Sequence, residues 1–557
     1  MLQEEFRDAL WEAVDELRGS VDTALYKELV LGLVVLRYLS ASYDARRNEL
    51  VDELTGQWEP EYRIGSILDD PEEYTFWLPE HARWSWIAAN ARNENTGRVL
   101  DAAMDAIMRA NPSLAGALPT VFERAGIDQN QLASLVRLFQ HTSAWSGEVY
   151  EYLLDAFARR EGKRGGEFHT PQSVTQLVLD MLEPYQGRVY DPVCGSANML
   201  VQAASFQRNH PSVYGQEANE RTWRLARMNL LIHGIDADLS DRWADTLTAD
   251  QHPRLQADFV LAHPPFNISD WPRDASDPRW VYGVPPAHNA NYAWLQHVIS
   301  KLTPTGTAAV ILANGSLHSR HKAEAEIRRA MLEADLVSCI VALPPRLFPS
   351  TDIPACLWIL DKDKSSRRNQ ILFIDAHEMG EMVRKAERVL TDADLANISG
   401  AYRAWRGSEQ PYTNQPEFCY SATLEAVRDN DYALIPGLYV TPAPPPPNLM
   451  QDLYAIFDGP DFPLKAPPTP PHQTNRQSPA PPTPTTDQRW PPRTKPQPKP
   501  SQQQKPSRCP PPRPRRQHTA RQAAPASPRR TTPYPAPASP APPNHARQQQ
   551  RTDQESP

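Results

Sequence analysis

The feature that most constrains the fold is a repeated alternation of apolar strand segments and amphipathic helical segments between residues 166 and about 376. The predicted strands are Val189–Val193, Val213–Gln216, Phe259–Ala262, Ala308–Ala313, Val337–Leu343 and Leu357–Asp361. The predicted helices between them are Pro171–Leu182, Met199–Gln207, Asn219–His233, Tyr292–Leu302 and Glu324–Glu333. Strands that alternate with helices favour the α/β class, with a doubly wound sheet.

The regions on either side of this alternating part differ from it in composition. Residues 1–160 show helical periodicity, and the apolar run Leu29–Leu39 predicts a buried helix within a small bundle. Of the 58 prolines, 34 lie after Tyr439, in a segment that buries too little apolar surface to offset its ordering entropy. The predicted domains are a helical domain at 1–160, a sheet domain at 166–440 and a disordered Pro-, Arg- and Gln-rich tail at 441–557.

Charge and cysteine usage narrow the class of protein. The chain carries a formal charge of −9, but the 16 basic and three acidic residues from Lys465 onward leave −22 on the part before them. The five cysteines have no paired spacing and no Cys/His cluster predicts a metal, which favours a reducing cytoplasm. The acidic N-terminus lacks signal-peptide features, and no apolar run approaches the ~20 residues that span a bilayer. We expect a cytoplasmic protein with no metal and no membrane segment.

Two motifs at strand ends carry the predicted chemistry. In the first, a strand ends at Asp191 and passes through a Gly-containing turn into a helix that begins near Asn198. Backbone N–H groups and a carboxylate then meet at the carboxyl end of a strand, where open α/β sheets bind nucleotide-like ligands. In the second, a strand beginning near Asp258 runs into His263-Pro264-Pro265-Phe266, which we call the corner. Proline restricts its own backbone and that of the preceding residue, so the corner is rigid.

Together and in this order, the two motifs resemble the S-adenosyl-L-methionine (SAM) site and the Asn/Asp-Pro-Pro-aromatic motif of amino-methyltransferases that act on adenine in DNA. The segment Gly166-Glu-Phe168-His169-Thr170-Pro171 and the N-terminal run Leu10–Gly19 resemble those of the modification (methyltransferase) subunit of type I restriction systems. The resemblance covers roughly Leu10 to Val440.

The resemblance implies a fold and a set of partners. The fold is an N-terminal helical bundle followed by a Rossmann-like sheet with one late antiparallel strand, and we expect helical stretches in the closing segment Ile371–Tyr439. SAM would be the cofactor. Double-stranded DNA, a specificity subunit and a restriction subunit would be the partners.

The resemblance also assigns cofactor-binding residues. Asp191 would hold the turn and the amino end of SAM, and Glu217, at the end of the second strand, would hold the ribose. Asp245 would lie near the adenine of SAM, although an isolated Asp is also a common turn former. The remaining cofactor residues are Phe168, His169, Thr170, Pro171, Gln172, Gly195, Ser196 and Ala197. Asn198 replaces a small residue of the family loop, and we expect it to tolerate a positive φ.

The corner departs from the family at its polar position. In the family an Asn or Asp side chain and the first Pro carbonyl accept hydrogen bonds from adenine N6, while the aromatic ring stacks on the flipped base. Here the polar residue is His263, and Pro264, Pro265 and Phe266 are retained. A neutral imidazole has one acceptor nitrogen, whereas a protonated one only donates. His263 is therefore compatible either with working catalysis or with impaired catalysis.

The sequence leaves three interpretations of the function. The first is a SAM-dependent adenine N6 methyltransferase of a type I restriction-modification system. The second is a glutamine N5- or RNA guanine N2-methyltransferase, which shares the corner but lacks the N-terminal bundle and the Phe-His-Thr-Pro segment. The third is a decayed subunit that binds SAM or DNA without methylating. The proline-rich segment from Thr441 stands where relatives carry a docking helix, which predicts weak assembly with a specificity subunit.

Overall fold

The computed structural model describes residues 23–56, 61–91, 95–140, 146–161, 170–205, 211–348, 351, 353–384, 387–407 and 411–440. Phe168, His169, the run Leu10–Gly19 and the tail 441–557 lie outside these described residues. No described helix is long and apolar enough to cross a membrane.

The first described part is a helical bundle. Its helices are α1 (Thr23–Gly56), α2 (Glu61–Leu68), α3 (Trp84–Asn90), α4 (Thr96–Ala110), α5 (Gln129–Gln140) and α6 (Gly147–Glu161). The apolar run of α1 is buried on all sides, as predicted, and every residue from Tyr26 to Leu36 lies in the interior. The buried Glu28 of α1 accepts a hydrogen bond from Arg224 (2.5 Å), which ties the bundle to the sheet domain.

The second part is a nine-stranded sheet. Its strands in chain order are β1 (Arg188–Asp191), β2 (Ser212–Gly215), β3 (Ala237–Asp238), β4 (Ala257–Ala262), β5 (Leu302–Ala313), β6 (Val337–Ala342), β7 (Ala355–Asp361), β8 (Gln370–Asp375) and β11 (Cys419–Thr423). The spatial order is β11-β8-β6-β7-β5-β4-β1-β2-β3. Each of the six predicted strands overlaps an observed one, so the predicted fold class is confirmed.

The direction of the strands also agrees with the resemblance. The neighbouring strands β3, β2, β1, β4 and β5 all run parallel. Strand β7 runs antiparallel to both of its neighbours, β5 and β6. The last strand, β11, pairs antiparallel with β8 at the edge of the sheet. The inserted β7 is the late antiparallel strand that the family resemblance implied.

Helices cover both faces of the sheet. The sheet-domain helices are α7 (Gln172–Leu182), α8 (Asn198–Ser205), α9 (Glu220–Ile232), α10 (Asn291–Lys301), α11 (Lys322–Glu333), α12 (Asp392–Arg406) and α13 (Leu424–Asp429). Alternate strand residues face opposite sides, so Val189 belongs to the core that includes α7, α8, α9 and α12, and Tyr190 belongs to the core that includes α10, α11 and α13. Leu225 and Met228 of α9 also enter the core of the bundle, so this helix joins the two parts.

The closing segment contains more strand than expected. Helices α12 and α13 are present, but β8, β11 and a hairpin of β9 (Glu381–Arg384) and β10 (Glu387–Val389) also lie there. The prediction of helical stretches alone was incomplete, because a short apolar run such as Ile371–Ile374 has no periodicity that separates a buried strand from a helix.

Candidate active site

The first half of the site lies at the end of β1. Asp191 is 1% exposed, and its Oδ1 accepts a hydrogen bond from the Val193 N–H (2.9 Å). Its Oδ2 is buried with no hydrogen-bond partner among the described residues. Burial raises the pKa of this carboxyl to about 8, the Val193 N–H opposes that rise, and the nearby Glu217 carboxylate adds to it. The site therefore contains a buried acidic oxygen to which no described residue donates.

The turn after β1 wraps around this carboxyl. Gly195 (φ 56°) and Ala197 (φ 63°) both adopt the left-handed conformation, and the Ala197 N–H donates to the Cys194 carbonyl (2.8 Å). The expectation that Asn198 would occupy such a position was wrong, because the left-handed turn ends one residue earlier and Asn198 opens α8. The Ser196 carbonyl accepts from the side chain of Asn229 (2.9 Å), which fastens the turn to α9.

Glu217 links this turn to the end of β2. Its Oε2 accepts from the Gly195 N–H (3.1 Å), and its Oε1 accepts from the Asn219 N–H (2.8 Å). The Glu217 carbonyl accepts from the Ala244 N–H (2.8 Å), which brings Asp245 into the same region. Asp245 is exposed, and its Oδ1 accepts from the Leu247 N–H (2.9 Å). It therefore also forms a turn, the alternative role that the sequence left open for it.

The second half of the site is the corner after β4. His263 is 5% exposed, and its ring packs against Phe266 (ring centroids 5.4 Å apart) and Phe348 (5.0 Å), which also contact each other (6.3 Å). Pro264 is buried, while Pro265 and Phe266 are partly exposed. The Nδ1 of His263 lies 2.8 Å from the Oγ1 of Thr170, a residue of the predicted cofactor segment. The structure therefore brings Thr170 against the predicted catalytic residue.

A pair of asparagines fixes the chain immediately after the corner. Asn267 has a φ of 55°, and its N–H donates to Oδ1 of the buried Asn291 (3.1 Å). The Asn291 amide donates back to Oδ1 of Asn267 (2.9 Å). Because these bonds hold the residue next to Phe266, they fix the direction in which the Phe266 ring leaves the sheet.

The two halves lie on the same edge of the sheet. Strands β1 and β4 are parallel neighbours, with Tyr190 level with Val260, so His263 stands two residues beyond the level of Asp191. Parallel strands lie about 4.8 Å apart and rise about 3.3 Å per residue, which puts the two Cα atoms roughly 8 Å apart. Pro171 caps the start of α7 and Gln172 is its first residue, so this helix begins beside Thr170.

A cleft beside the site is a different feature. It has a volume of about 1110 Å³, lies between the bundle and the sheet domain, and reaches the site only through Pro171, Gln172 and Asn198. Most of the charged residues that line it are acidic; they are Glu148, Glu151, Asp155, Asp180, Glu387 and Asp392, against Arg159 and Arg403. An acidic wall repels a phosphate backbone, so this cleft is not suited to hold DNA.

Some residues that build the site were not found from the sequence. Phe348 packs against His263 from the loop after β6, and Gln216 holds the segment that carries Asp245 through bonds to Ala244 (3.0 Å) and Gln251 (3.0 Å). Nothing in the sequence separates such a Gln from an ordinary strand residue.

The loop after the corner is an ordered structure with its own core. Trp271 and Trp280 are buried together with ring centroids 5.9 Å apart, so these rings serve packing. Arg279 donates to the carbonyls of Thr246 (3.0 Å) and Leu247 (2.5 Å) and to Nδ1 of His297 (2.9 Å). Burial, with Arg279 nearby, lowers the pKa of His297, which keeps this ring neutral and able to accept.

Family models match most of the chain. The N-6 DNA Methylase model matches residues 143–445, and the HsdM N-terminal domain model matches residues 6–141. A type I restriction enzyme methylase subunit of Haemophilus influenzae, HindI, is 43% identical over 410 residues, which are 69% of this chain and 89% of the relative. The MjaIX methylase subunit of Methanocaldococcus jannaschii is 34% identical over 474 residues, 79% of this chain and 84% of the relative.

A solved structure agrees with these matches. The type I restriction-modification system methyltransferase subunit of Streptococcus thermophilus aligns with a TM-score of 0.67 and 26% identity, over 78% of this chain and 99% of that one. The helical bundle and the sheet domain that follows it thus occur together in a known class of protein. This chain belongs to the N-6 DNA methylase family, among the methylase subunits of type I restriction enzymes.

Proposed function

We propose that this protein transfers a methyl group from SAM to N6 of a flipped adenine in double-stranded DNA, as the modification subunit of a type I restriction-modification complex. The observation that carries the proposal is the meeting of the Asp191–Glu217 region and the corner at one edge of the sheet, on neighbouring strands. A cofactor held by the first would lie beside a base held by the second.

The residues at the ends of β1 and β2 fit SAM. The buried Oδ2 of Asp191 has no donor among the described residues, and the amino group of SAM would supply one. The Glu217 carboxylate accepts the Gly195 and Asn219 N–H groups, and a carboxylate of this kind can also accept from the ribose hydroxyls. When bound, SAM supplies an electrophilic methyl group. Asp245, Gly195, Ser196, Ala197, Pro171 and Gln172 complete the proposed cofactor shell.

The corner supplies the groups that act on the base. The lone pair of adenine N6 is delocalised into the ring, and hydrogen bonds accepted from its amino group favour the tetrahedral form that attacks a methyl group. We assign these acceptors to His263, as the neutral imidazole, and to the Pro264 carbonyl. We assign stacking on the base to the partly exposed ring of Phe266, and the base must leave the duplex to reach a partly buried corner.

Partners follow from the same proposal. The relatives are named as subunits of type I restriction enzymes. We therefore propose that a specificity subunit selects the target sequence, that a restriction subunit completes the complex, and that the reaction takes place in the cytoplasm.

Removal of the Glu217 carboxylate tests the cofactor half of the proposal. We expect Glu217→Ala to weaken SAM binding by about 1.5–3 kcal/mol, because charge-assisted hydrogen bonds to the ribose are lost. Calorimetry on the purified protein measures this, with the unfolding of each variant as a control because Glu217 also accepts the Gly195 and Asn219 N–H groups. Unchanged SAM affinity in the variant would show that the site is wrongly assigned.

A methylation assay run beside the SAM titration distinguishes an active adenine methyltransferase from a decayed subunit that binds SAM or DNA without methylating. Labelled methyl groups should pass to DNA when the specificity subunit is present. SAM binding with no transfer under those conditions would favour the decayed subunit.

A further inference from the structure

We propose that Thr170 is a positioning residue for His263: its hydroxyl accepts a hydrogen bond from Nδ1–H and thereby keeps the proton off Nε2, which can then accept a hydrogen bond from the adenine amino group. This inference rests on the proposed function and replaces the cofactor role first expected of Thr170.

The contact between the two side chains is buried and joins distant parts of the chain. Thr170 is 7% exposed and His263 is 5% exposed, and the Oγ1–Nδ1 distance is 2.8 Å across 93 residues of sequence. In a site with little water, a hydrogen bond of this kind orients the polar group that receives it, because breaking the bond leaves a buried group unsatisfied. The hydroxyl of Thr170 therefore has direct control over the imidazole.

Two aromatic rings also hold the imidazole of His263. The aromatic rings of Phe266 and Phe348 pack against the imidazole at tilts of 53° and 49° and restrict its rotation. Neither phenyl ring offers a conventional donor or acceptor. Packing thus fixes where the ring lies, while the hydrogen bond at Nδ1 determines which nitrogen carries the proton.

The direction of that bond decides whether His263 can act on adenine. If the Thr170 hydroxyl donated to Nδ1, the neutral ring would carry its proton on Nε2 and would present a second donor to the N6 amino group. If Nδ1–H donates to Thr170, Nε2 carries a lone pair and accepts from that amino group. Only the second arrangement does the work that the family assigns to Asn or Asp, so we assign it here.

The backbone holds the Thr170 hydroxyl in place. Thr170 precedes Pro171, and a residue before proline is restricted to extended conformations. The Pro171 carbonyl accepts from the N–H groups of Val174 and Thr175 (3.0 Å each) at the start of α7. The hydroxyl is thus mounted on the rigid beginning of a helix.

The kinetic test uses full-length protein assembled with its specificity subunit and target DNA. Thr170→Val keeps the shape of the side chain and removes the hydroxyl, and we expect kcat to fall by up to about 100-fold while the Kd for SAM stays unchanged. Thr170→Ser should restore most of the rate. Thr175→Val is the matched control, since Thr175 is fully buried on the helix that follows Thr170, and it should leave both quantities unchanged.

A second background separates a positioning role from a cofactor contact. In a His263→Asn protein, Thr170→Val should cost much less rate than it does beside His263, because the imidazole that it orients is absent. The proposal is overturned if Thr170→Val weakens SAM binding equally in both backgrounds and leaves kcat at saturating SAM unchanged.

A spectroscopic test does not depend on catalysis. The ¹⁵N chemical shifts of the imidazole nitrogens, assigned by their loss in His263→Asn, report which nitrogen carries the proton at neutral pH. We expect the Nδ1–H form in the wild-type protein and its loss or mixing in Thr170→Val. An Nε2–H form in the wild-type protein overturns the proposal even if the enzyme methylates DNA, and an Nδ1–H form supports it even if methylation is not observed.

Discussion

At the scale of single residues, Asp191 makes the stability of the folded protein depend on pH. Its folded-state pKa of about 8 lies above the ordinary value of 3.8, because burial disfavours the ionised form. The folded protein therefore holds this proton through a range in which the unfolded chain has released it. The contribution of Asp191 to the free energy of unfolding is greatest below the unfolded pKa and declines as pH rises toward about 8.

We predict that Asp191→Asn removes this part of the pH dependence. Urea unfolding measured between about pH 5 and pH 8 should show a smaller loss of stability with rising pH in the variant than in the wild-type protein. Asp245→Asn, a change at an exposed carboxylate, serves as the control and should keep the wild-type slope. Equal slopes for wild type and Asp191→Asn would contradict the assignment of a buried protonated carboxyl.

The binding of SAM should also change the protonation of Asp191. A cationic amino group placed against Asp191 favours the ionised carboxylate, so binding below about pH 8 should release a proton. Calorimetry in two buffers of different ionisation enthalpy measures this release, which Asp191→Asn should abolish.

The corner gives a second prediction at this scale. We expect His263→Asn to preserve or raise the rate of adenine methylation in the assembled complex, because an amide oxygen supplies the acceptor that N6 requires. His263→Ala removes the acceptor and should lose activity. A large loss of rate in His263→Asn would instead show that the imidazole performs a step that an amide cannot.

At the scale of elements, the sequence predicted the sheet domain well because its signals are local. The helices Gln172–Leu182 and Asn291–Lys301 each lie within one residue of their predicted bounds. Their apolar periodicity is contained in a short stretch of sequence, so no contact with a distant element is needed to recognise it. The same local reading failed at β11, an edge strand whose Cys-Tyr-Ser-Ala-Thr sequence has no strong apolar signal.

The parts of the site that escaped prediction depend on contacts between distant elements. Asp191, Glu217 and the corner were each predicted to follow a strand, and the parallel pairing of β1 with β2 and β4 puts these strand ends at one edge of the sheet. That Thr170 faces His263 could not be predicted from sequence, because 93 residues separate the two. Ala197 rather than Asn198 takes the left-handed turn, since the exact residue at which α8 begins is a matter of packing.

At the scale of the whole molecule, the resemblance implies a docking helix where this chain has the proline-rich segment after Val440. Proline costs about 3 kcal/mol at each helix-interior position, so a helix of the family type is unfavourable there. We predict weak assembly with the specificity subunit. A truncation that ends at Val440 should retain fold and SAM affinity and should change complex formation little.

Co-purification measures this prediction. A stable complex of two modification subunits and one specificity subunit, formed by the full chain and lost on truncation at Val440, would contradict it. That result would identify the segment 441–557 as a docking element of another kind.

The central claim is that the corner directs a methyl group to adenine N6. The most direct measurement is mass spectrometry of nucleosides from target DNA that was incubated with SAM, the full-length protein and its specificity subunit. We predict N6-methyladenine in wild-type reactions. The amount should fall strongly when Phe266→Ala removes the ring that stacks on the base. Methylated cytosine, or no methylated base from a complex that binds both SAM and DNA, would contradict it.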